Sequence, residues 1–372
     1  MALRKLTATC GALGAFLAIT YVAVHDDGTP SARAADKSVP HAPRTALLAT
    51  HPGAELTSLF LVDVVGSSAL APVTTFAHLP DATVRAAIIP GKTDVLATAD
   101  TTPSRDASFN ASLFHLRPHN PPERIVDRVV HASRPLVTQA GRVFVSRGEP
   151  GVEIEGRMRV DTLTIDEIDL GTGQTRTVHQ TNGYLLFLVG AIGSDIVLYR
   201  IFPDRADIVA IDPDTLAERP IVKSLPPFAR DFSIDEKNRL LVFQNRHESD
   251  SLAWVVERVE LGTGKTNRLF SGPSMTLAPF TLPQGGVVFN PRGQGLSPLD
   301  TSLSVIAPLG AGVDVIAAST SDGRYLAALH TRPSTFAVPF IVDTKTGAWR
   351  VLPAPPNTRV TVAGFVVEGG AP

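Results

Sequence analysis

The chain has 372 residues, 44% of them hydrophobic, and a net charge of −2. That balance leaves no broad basic footprint, which argues against nucleic acid or an anionic lipid surface as a partner. The single cysteine is Cys10, so the chain beyond it can form neither a disulfide nor a thiolate metal site.

Arg4 and Lys5 precede an uncharged, mostly apolar stretch, Leu6 to Val24, and Asp26 and Asp27 follow it. Charge before and acid after is the orientation of an export segment. The apolar run of about 19 residues lies between a signal-peptide core of 7–15 and the roughly 20 that span a bilayer. Two readings therefore stand: a signal peptide cut after Ala32-Arg33-Ala34, or an uncleaved signal anchor. Residues 25–44, rich in Pro, Ser and Ala without periodicity, read as a flexible linker. The expected division is residues 1–24 as leader, 25–44 as linker and 45–372 as one folded domain. The expected location is extracytoplasmic, in the periplasm or cell envelope, secreted or tethered. Any membrane contact would run through the N-terminal segment alone.

From Thr45 the chain is a series of short apolar runs punctuated by 30 prolines and 29 glycines spread along its length. Asp166-Glu-Ile-Asp-Leu-Gly-Thr-Gly-Gln-Thr-Arg176 returns as Glu257-Arg-Val-Glu-Leu-Gly-Thr-Gly-Lys-Thr-Asn-Arg268, and more loosely as Phe340-Ile-Val-Asp-Thr-Lys-Thr-Gly-Ala-Trp-Arg350. Each copy predicts a strand, a tight turn and a second strand. Such outer hairpins open at Ser58, Ser112, Thr162, Asp207, Ala253, Ser302 and Pro339, roughly 37 to 54 residues apart. Six of them are preceded by a second hairpin: Ala86–Ala97, Leu136–Val145, Phe187–Leu198, Phe232–Phe243, Phe280–Phe289 and Ala317–Ala327. The first outer hairpin, after Thr45–Thr50, lacks an inner strand before it, and the run Val360–Val367 lacks a hairpin after it. Joined, they complete one more sheet. The expected fold is all-β: a seven-bladed β-propeller of four-stranded antiparallel blades, its ring closed by strands from both ends of the chain.

The Leu-x-Gly-Thr-Gly-x-Thr hairpins and the run Ser321-Asp-Gly-Arg-Tyr-Leu-Ala327 resemble the repeats of bacterial extracytoplasmic propellers of the TolB-like and quinoprotein-like kind. The resemblance covers the chain from about Thr45. It implies a rigid ring with a central channel and two loop faces, in which the Asp-Gly and Thr-Gly positions shape turns. Such rings host binding proteins and enzymes alike, so the fold does not fix a function.

No stretch carries a recognisable catalytic motif. Gly262-Thr-Gly-Lys-Thr266 lacks the earlier glycine of a phosphate loop, with Val259 in its place, and leads into a strand-like run. Gly293-Gln-Gly295 fails as a dinucleotide fingerprint because Pro298 replaces the third glycine. His115 and His119 are four apart but stand among Pro118, Pro121 and Pro122, in a predicted loop. His247-Glu-Ser-Asp250 offers acid–base groups on a predicted solvated loop. Asp161, Asp166 and Asp169 lack the framework of a calcium loop and read as turn and surface groups. Arg117, Arg124, Arg128 and Arg134 mark a basic connector able to meet an acidic partner, though a solvated loop fits it better. Trp254, Trp349, Tyr184, Tyr199 and Tyr325 are expected to pack between blades. No catalytic, cofactor-binding or metal-ligating residue is assigned, and no cofactor is expected. The expected function is a binding scaffold for a protein, peptide or glycan partner, and not an enzyme. The alternative is a propeller-type lyase or hydrolase with a polar or metal site at the channel mouth. Three or more His, Asp or Glu side chains meeting at one end of the channel would favour the enzyme. Singly placed polar groups in an apolar channel would favour the binder.

Overall fold

A computed structural model describes residues 43–366, apart from 67–69, 104–108, 150–152, 155–156, 159–161, 183–184, 248–251, 274–275, 292–294, 299–308, 311 and 333–334. The leader and most of the linker, Asp161, Tyr184, Glu248 to Asp250, Gly293 and Ser302 to Ile306 therefore lie outside the described residues. So does Val367.

The described residues form strands and turns, with no helix among them. In chain order the strands are β1 (Arg44–Thr50), β2 (Leu56–Asp63), β3 (Pro72–Ala77), β4 (Arg85–Ile88), β5 (Val95–Asp100), β6 (Ala111–Leu116), β7 (Glu123–Val129), β8 (Leu136–Val137), β9 (Val143–Glu149), β10 (Glu153–Ile154), β11 (Arg157–Met158), β12 (Thr162–Ile168), β13 (Thr175–Asn182), β14 (Leu185–Ile192) and β15 (Asp195–Ile201). They continue as β16 (Ala206–Ile211), β17 (Glu218–Leu225), β18 (Arg230–Asp235), β19 (Leu240–Arg246), β20 (Trp254–Glu260), β21 (Thr266–Gly272), β22 (Phe280–Thr281), β23 (Val287–Phe289), β24 (Ser297–Pro298), β25 (Val313–Ser319), β26 (Tyr325–Thr331), β27 (Val338–Asp343), β28 (Trp349–Val351) and β29 (Arg359–Val366).

The pairing is antiparallel and local, except at the seam. Strands β14 to β17, β18 to β21 and β25 to β28 form four-stranded sheets in chain order, and β22 to β24 form a three-stranded one. The closing sheet runs β29-β1-β2-β3, so the last described strand is the inner neighbour of the first. The inner hairpins and the closing strand lie where the sequence places them, as do the outer hairpins within the described residues. Two features were not foreseen. The ribbon β10–β11 rises from the connection between β9 and β12. Strand β7 pairs with β9 through Val129 and Arg147, which merges two sheets into one eight-stranded sheet, a path of seven strands with β8 branching off β9. Arg128 just before that contact has φ +61°, a left-handed kink that swings the strand end across to its neighbour.

Burial explains the apolar runs. All six residues of β5 and all six of β6 are buried, because middle strands are covered on both faces by adjacent sheets. The outermost β17 exposes five of its eight residues. Apolar clusters fill the wedges between sheets: Leu48, Leu59, Phe76, Val95 and Phe114 in one, Val197, Tyr199, Leu241 and Phe243 in another. Trp254 and Tyr199 are buried as expected, but Trp349 is 45% exposed. It lies on β28, an outer strand with no neighbour on its far side.

The repeated outer turn is one device used four times. In Asp169–Gly173 the Asp169 carboxylate accepts from Gly171 N at 2.8 Å and Thr172 N at 3.0 Å, and Gly173 N donates back to Asp169 O at 2.8 Å. Gly173, Gly264 and Gly347 hold the left-handed position with φ of +69°, +70° and +71°. In Asp212-Pro213-Asp214-Thr215-Leu216 a leucine does so, at φ +60°, while 52% exposed. A left-handed L-residue costs roughly 1–2 kcal/mol, partly offset by the greater unfolded entropy of glycine. Leu216→Gly should therefore raise the unfolding free energy by about 1 kcal/mol, read as a higher midpoint in urea.

Arginines tie sheets together at their outer turns. Arg142 donates to both carboxylate oxygens of Glu167, at 2.6 and 3.0 Å, and to Asp214 at 2.9 and 3.1 Å. The hydrogen bond from Arg142 holds the Glu167 carboxyl below the usual carboxylate range, against the opposing effect of burial. At the seam, Arg350 donates to the main-chain carbonyls of Asp63, Val64 and Gly66.

Candidate functional site

The inner strands β4, β8, β14, β22, β25 and β29 supply residues to one cavity of about 610 Å³, and β18 contributes to an adjoining space of about 500 Å³. Together these spaces form the channel of the ring. Three inner strands carry a register break at their fifth residue: Val189 in β14, Ala317 in β25 and Ala363 in β29. All three residues line the larger cavity. A bulge leaves its extra residue outside the ladder, so each puts main-chain polar groups into the cavity wall, beside the side chains of Gln139, Ser319, Thr320 and Ser321. Gly364, next to the break in β29, has φ +151°, and a Cβ there would sit 3.0 Å from Ile88. The seam strand and β4 are that close.

Among the described lining residues of the larger cavity, Arg134 is the only charged side chain. It stands in the connection between β7 and β8, and local chemistry fixes it there. Ser133 N bonds back to Val130 O at 3.0 Å, Thr98 Oγ1 donates to Ser133 O at 2.6 Å, and Pro135 biases Arg134 toward an extended backbone. The guanidinium then spans two sheets. Its Nε donates to Ala86 O at 2.8 Å and its Nη2 to the bulged Ala363 O at 3.2 Å. No carboxylate faces it among the described residues. Its side chain is exposed to solvent, and the protein packed around it, with Arg85 nearby, pushes its ionisation below the usual guanidinium range. It remains a cation at neutral pH.

The other arginines of the basic connector do not line the cavity: Arg117 is exposed in the loop between β6 and β7, as expected, while Arg124 and Arg128 are exposed on a strand rather than in a loop. Arg124 and Arg128 lie on strand β7, Arg117 pairs with Glu123 at 2.9 Å, and Arg124 pairs with Asp127 at 2.5 Å. Of the four arginines, Arg134 alone lines the cavity. Nothing in the sequence singled that residue out, because the carbonyl of Ala363 that holds it is 229 positions away.

The remaining candidates take structural roles. His115 bonds Asp94 at 2.8 Å on β6, while His119 is in the following loop with φ +61°. Asp166 pairs with Arg147 at 2.8 Å, and Asp169 caps its turn. His247 Nε2 accepts from Arg268 at 3.0 Å. Gly262–Thr266 is a turn leading into β21, with no helix to receive a phosphate. His131 bonds Asp100 at 2.9 Å, and His330 bonds Asp314 at 2.6 Å. None of these imidazole–carboxylate pairs lines the channel. In the adjoining space, Asp235 receives Asn238 and Glu236 receives the Gly193 amide. Among the described residues no three His, Cys, Asp or Glu side chains meet in a group able to hold a metal ion.

No family model matches the sequence, and no curated protein resembles it closely enough to align. By fold it is similar to TolB from Acinetobacter baumannii, at a TM-score of 0.50 and 12% identity over 88% of this chain and 68% of that one. It is also similar to a prolyl endopeptidase, at a TM-score of 0.57 and 11% identity over 87% of this chain and 51% of that one. Prolyl oligopeptidase B from Galerina marginata gives 0.57 and 10% over 87% and 52%. The chain spans about half the length of either peptidase. These are β-propeller proteins, and the likeness assigns that fold to this chain.

Proposed function

We propose that this propeller is a binding protein whose channel takes an extended segment of a protein or peptide partner. We read the ring as seven blades, with the merged eight-stranded sheet as two of them and the three-stranded sheet as one. We also read residues 1–24 as an export segment, residues 25–44 as the tether and the ring as extracytoplasmic. The observation that carries the binding reading is the character of the larger cavity: a wall mixing apolar side chains with Gln139, Ser319, Thr320 and Ser321, main-chain groups at three bulges, and one cation, Arg134. An extended peptide presents apolar side chains and unpaired amides, and such a wall offers partners to both. A lytic or hydrolytic reading would need acid–base groups facing one space. The His–Asp pairs of the described residues lie outside both spaces, and the carboxylates that line the smaller one, Asp235 and Glu236, have no imidazole beside them there.

The test uses a synthetic library of random decapeptides with both termini free, passed over the immobilised full chain. Ser319→Trp, which fills the lumen at a part-exposed position lining both spaces, serves as the blocked control. The expected result is a set of retained peptides that bind the blocked variant at least tenfold more weakly in calorimetry. Retention of none, or equal binding to both proteins, overturns the reading.

A further inference from the structure

Arg134 has more capacity than its neighbours use. A guanidinium carries five N–H donors, and two of them go to Ala86 O and Ala363 O. Both partners are neutral, so the positive charge is held in place without being compensated. The cation within its influence is Arg85, whose own Nε donates to Ala132 O at 3.4 Å, so nothing nearby cancels the field. Arginine presents its donors in a rigid fork that matches a planar oxyanion. One cation balances one negative charge, which favours a monoanionic carboxylate over a dianionic phosphate. The cavity it lines also carries Ile88, Leu136, Leu188, Phe280 and Phe365, which suit an apolar body within reach of that charge, alongside the polar Gln139, Ser319, Thr320 and Ser321.

We propose that Arg134 is the anchor of a carboxylate site inside the ring, taking the terminal carboxylate of a ligand whose adjoining part is apolar. The proposal deepens the binding reading above and rests on it for the peptide. The same chemistry is offered by a peptide C-terminus and by a small aliphatic acid. A guanidinium already held by two main-chain carbonyls lowers the ordering cost of capture.

The experiment titrates the full chain by calorimetry with two acid–amide pairs. One pair is acetyl-Leu-Val-Phe-Leu as free acid and as C-terminal amide; the other is hexanoate and hexanamide. Binding of each acid at least tenfold tighter than its amide is expected, with the peptide acid tighter than hexanoate if the natural ligand is a chain end and the reverse if it is a small acid. In Arg134→Gln the acids should fall to the affinity of the amides, and Arg134→Lys should keep part of the difference. The acid–amide comparison on the unaltered protein stands even if a variant fails to fold. Equal binding of acid and amide, absence of binding by both acids, or acid binding that survives in a folded Arg134→Gln overturns the carboxylate site. If the library peptides are retained yet bind equally well as amides, the channel reading stands and the carboxylate site alone falls.

Discussion

Removing β29, by ending the chain before Arg359, should abolish folding. The strand buries Val360, Val362, Ala363, Phe365 and Val366, each less than a tenth exposed. Complete burial of a Val or Phe side chain stabilises by roughly 1.5–3 kcal/mol, so the loss is about 8 kcal/mol. That approaches the whole stability of an ordinary domain, about 5–15 kcal/mol. The truncated chain would also expose the edge of β1, a row of unpaired main-chain groups ready to pair with another copy. The expected result is an insoluble product, or a soluble one without a cooperative melt. A permuted chain gives the control. Arg44 stands opposite Val366 in an antiparallel pair. Moving residues 353–366 ahead of residue 43, joined by a short Asn-Gly turn, turns the seam into a plain hairpin. This permutant should fold and melt within a few degrees of the parent. A cooperative, monomeric melt of the truncated chain would show that the ring does not depend on its seam.

The same seam shows what the sequence made legible. A strand-like run without a hairpin after it, and a hairpin without an inner strand before it, are local signals that only closure reconciles. Period, alternation and turn chemistry sufficed for the inner hairpins and for the Asp169, Glu260 and Asp343 turns. They blurred at Asp212–Leu216, where leucine occupies a position that glycine marks elsewhere. They gave no sign of the β7–β9 pairing, which hangs on the backbone angle of one residue, Arg128. The channel site was harder still. Arg134 read as one of four basic residues among prolines, because what distinguishes it is the absence of a carboxylate in three dimensions. The bulges at Val189, Ala317 and Ala363 leave no mark in composition either, since a single extra residue in a strand looks like any other residue. Fold came from repetition; the site came from juxtaposition across blades, which a lone sequence does not record.

Gly312→Ala should destabilise the protein by about 3 kcal/mol, by breaking a buried hydrogen bond to a carboxylate that it does not itself make. Gly312 has φ +156°, and a Cβ there would fall 2.3 Å from Cε1 and 2.5 Å from Nε2 of His330, and 2.8 Å from Thr331 O. The ring of His330 is 3% exposed in side-chain terms and has little room to move. Its protonation follows from its neighbours. Arg332 Nε donates to Nε2 at 3.0 Å, so Nε2 is the acceptor and the proton sits on Nδ1, which donates to Asp314 Oδ1 at 2.6 Å. Asp314 is fully buried, its Oδ2 has no partner, and burial already pushes its carboxyl above the usual range while His330 pulls the other way. Displacing the imidazole removes that restraint and leaves a buried carboxylate with less to hold it. The pH dependence has a definite sign. A group whose folded pKa is raised favours the folded state below its unfolded value, near 3.9 for Asp, and weighs against it as pH rises through the folded value. The raise grows in the variant, so the gap between Gly312→Ala and the parent should be widest at neutral pH and narrow on acidification toward about pH 4. Urea unfolding of both proteins at pH 7, 5.5 and 4.5 measures it. A gap that stays constant across that range would mean the cost is steric alone and that Asp314 keeps its charge without His330.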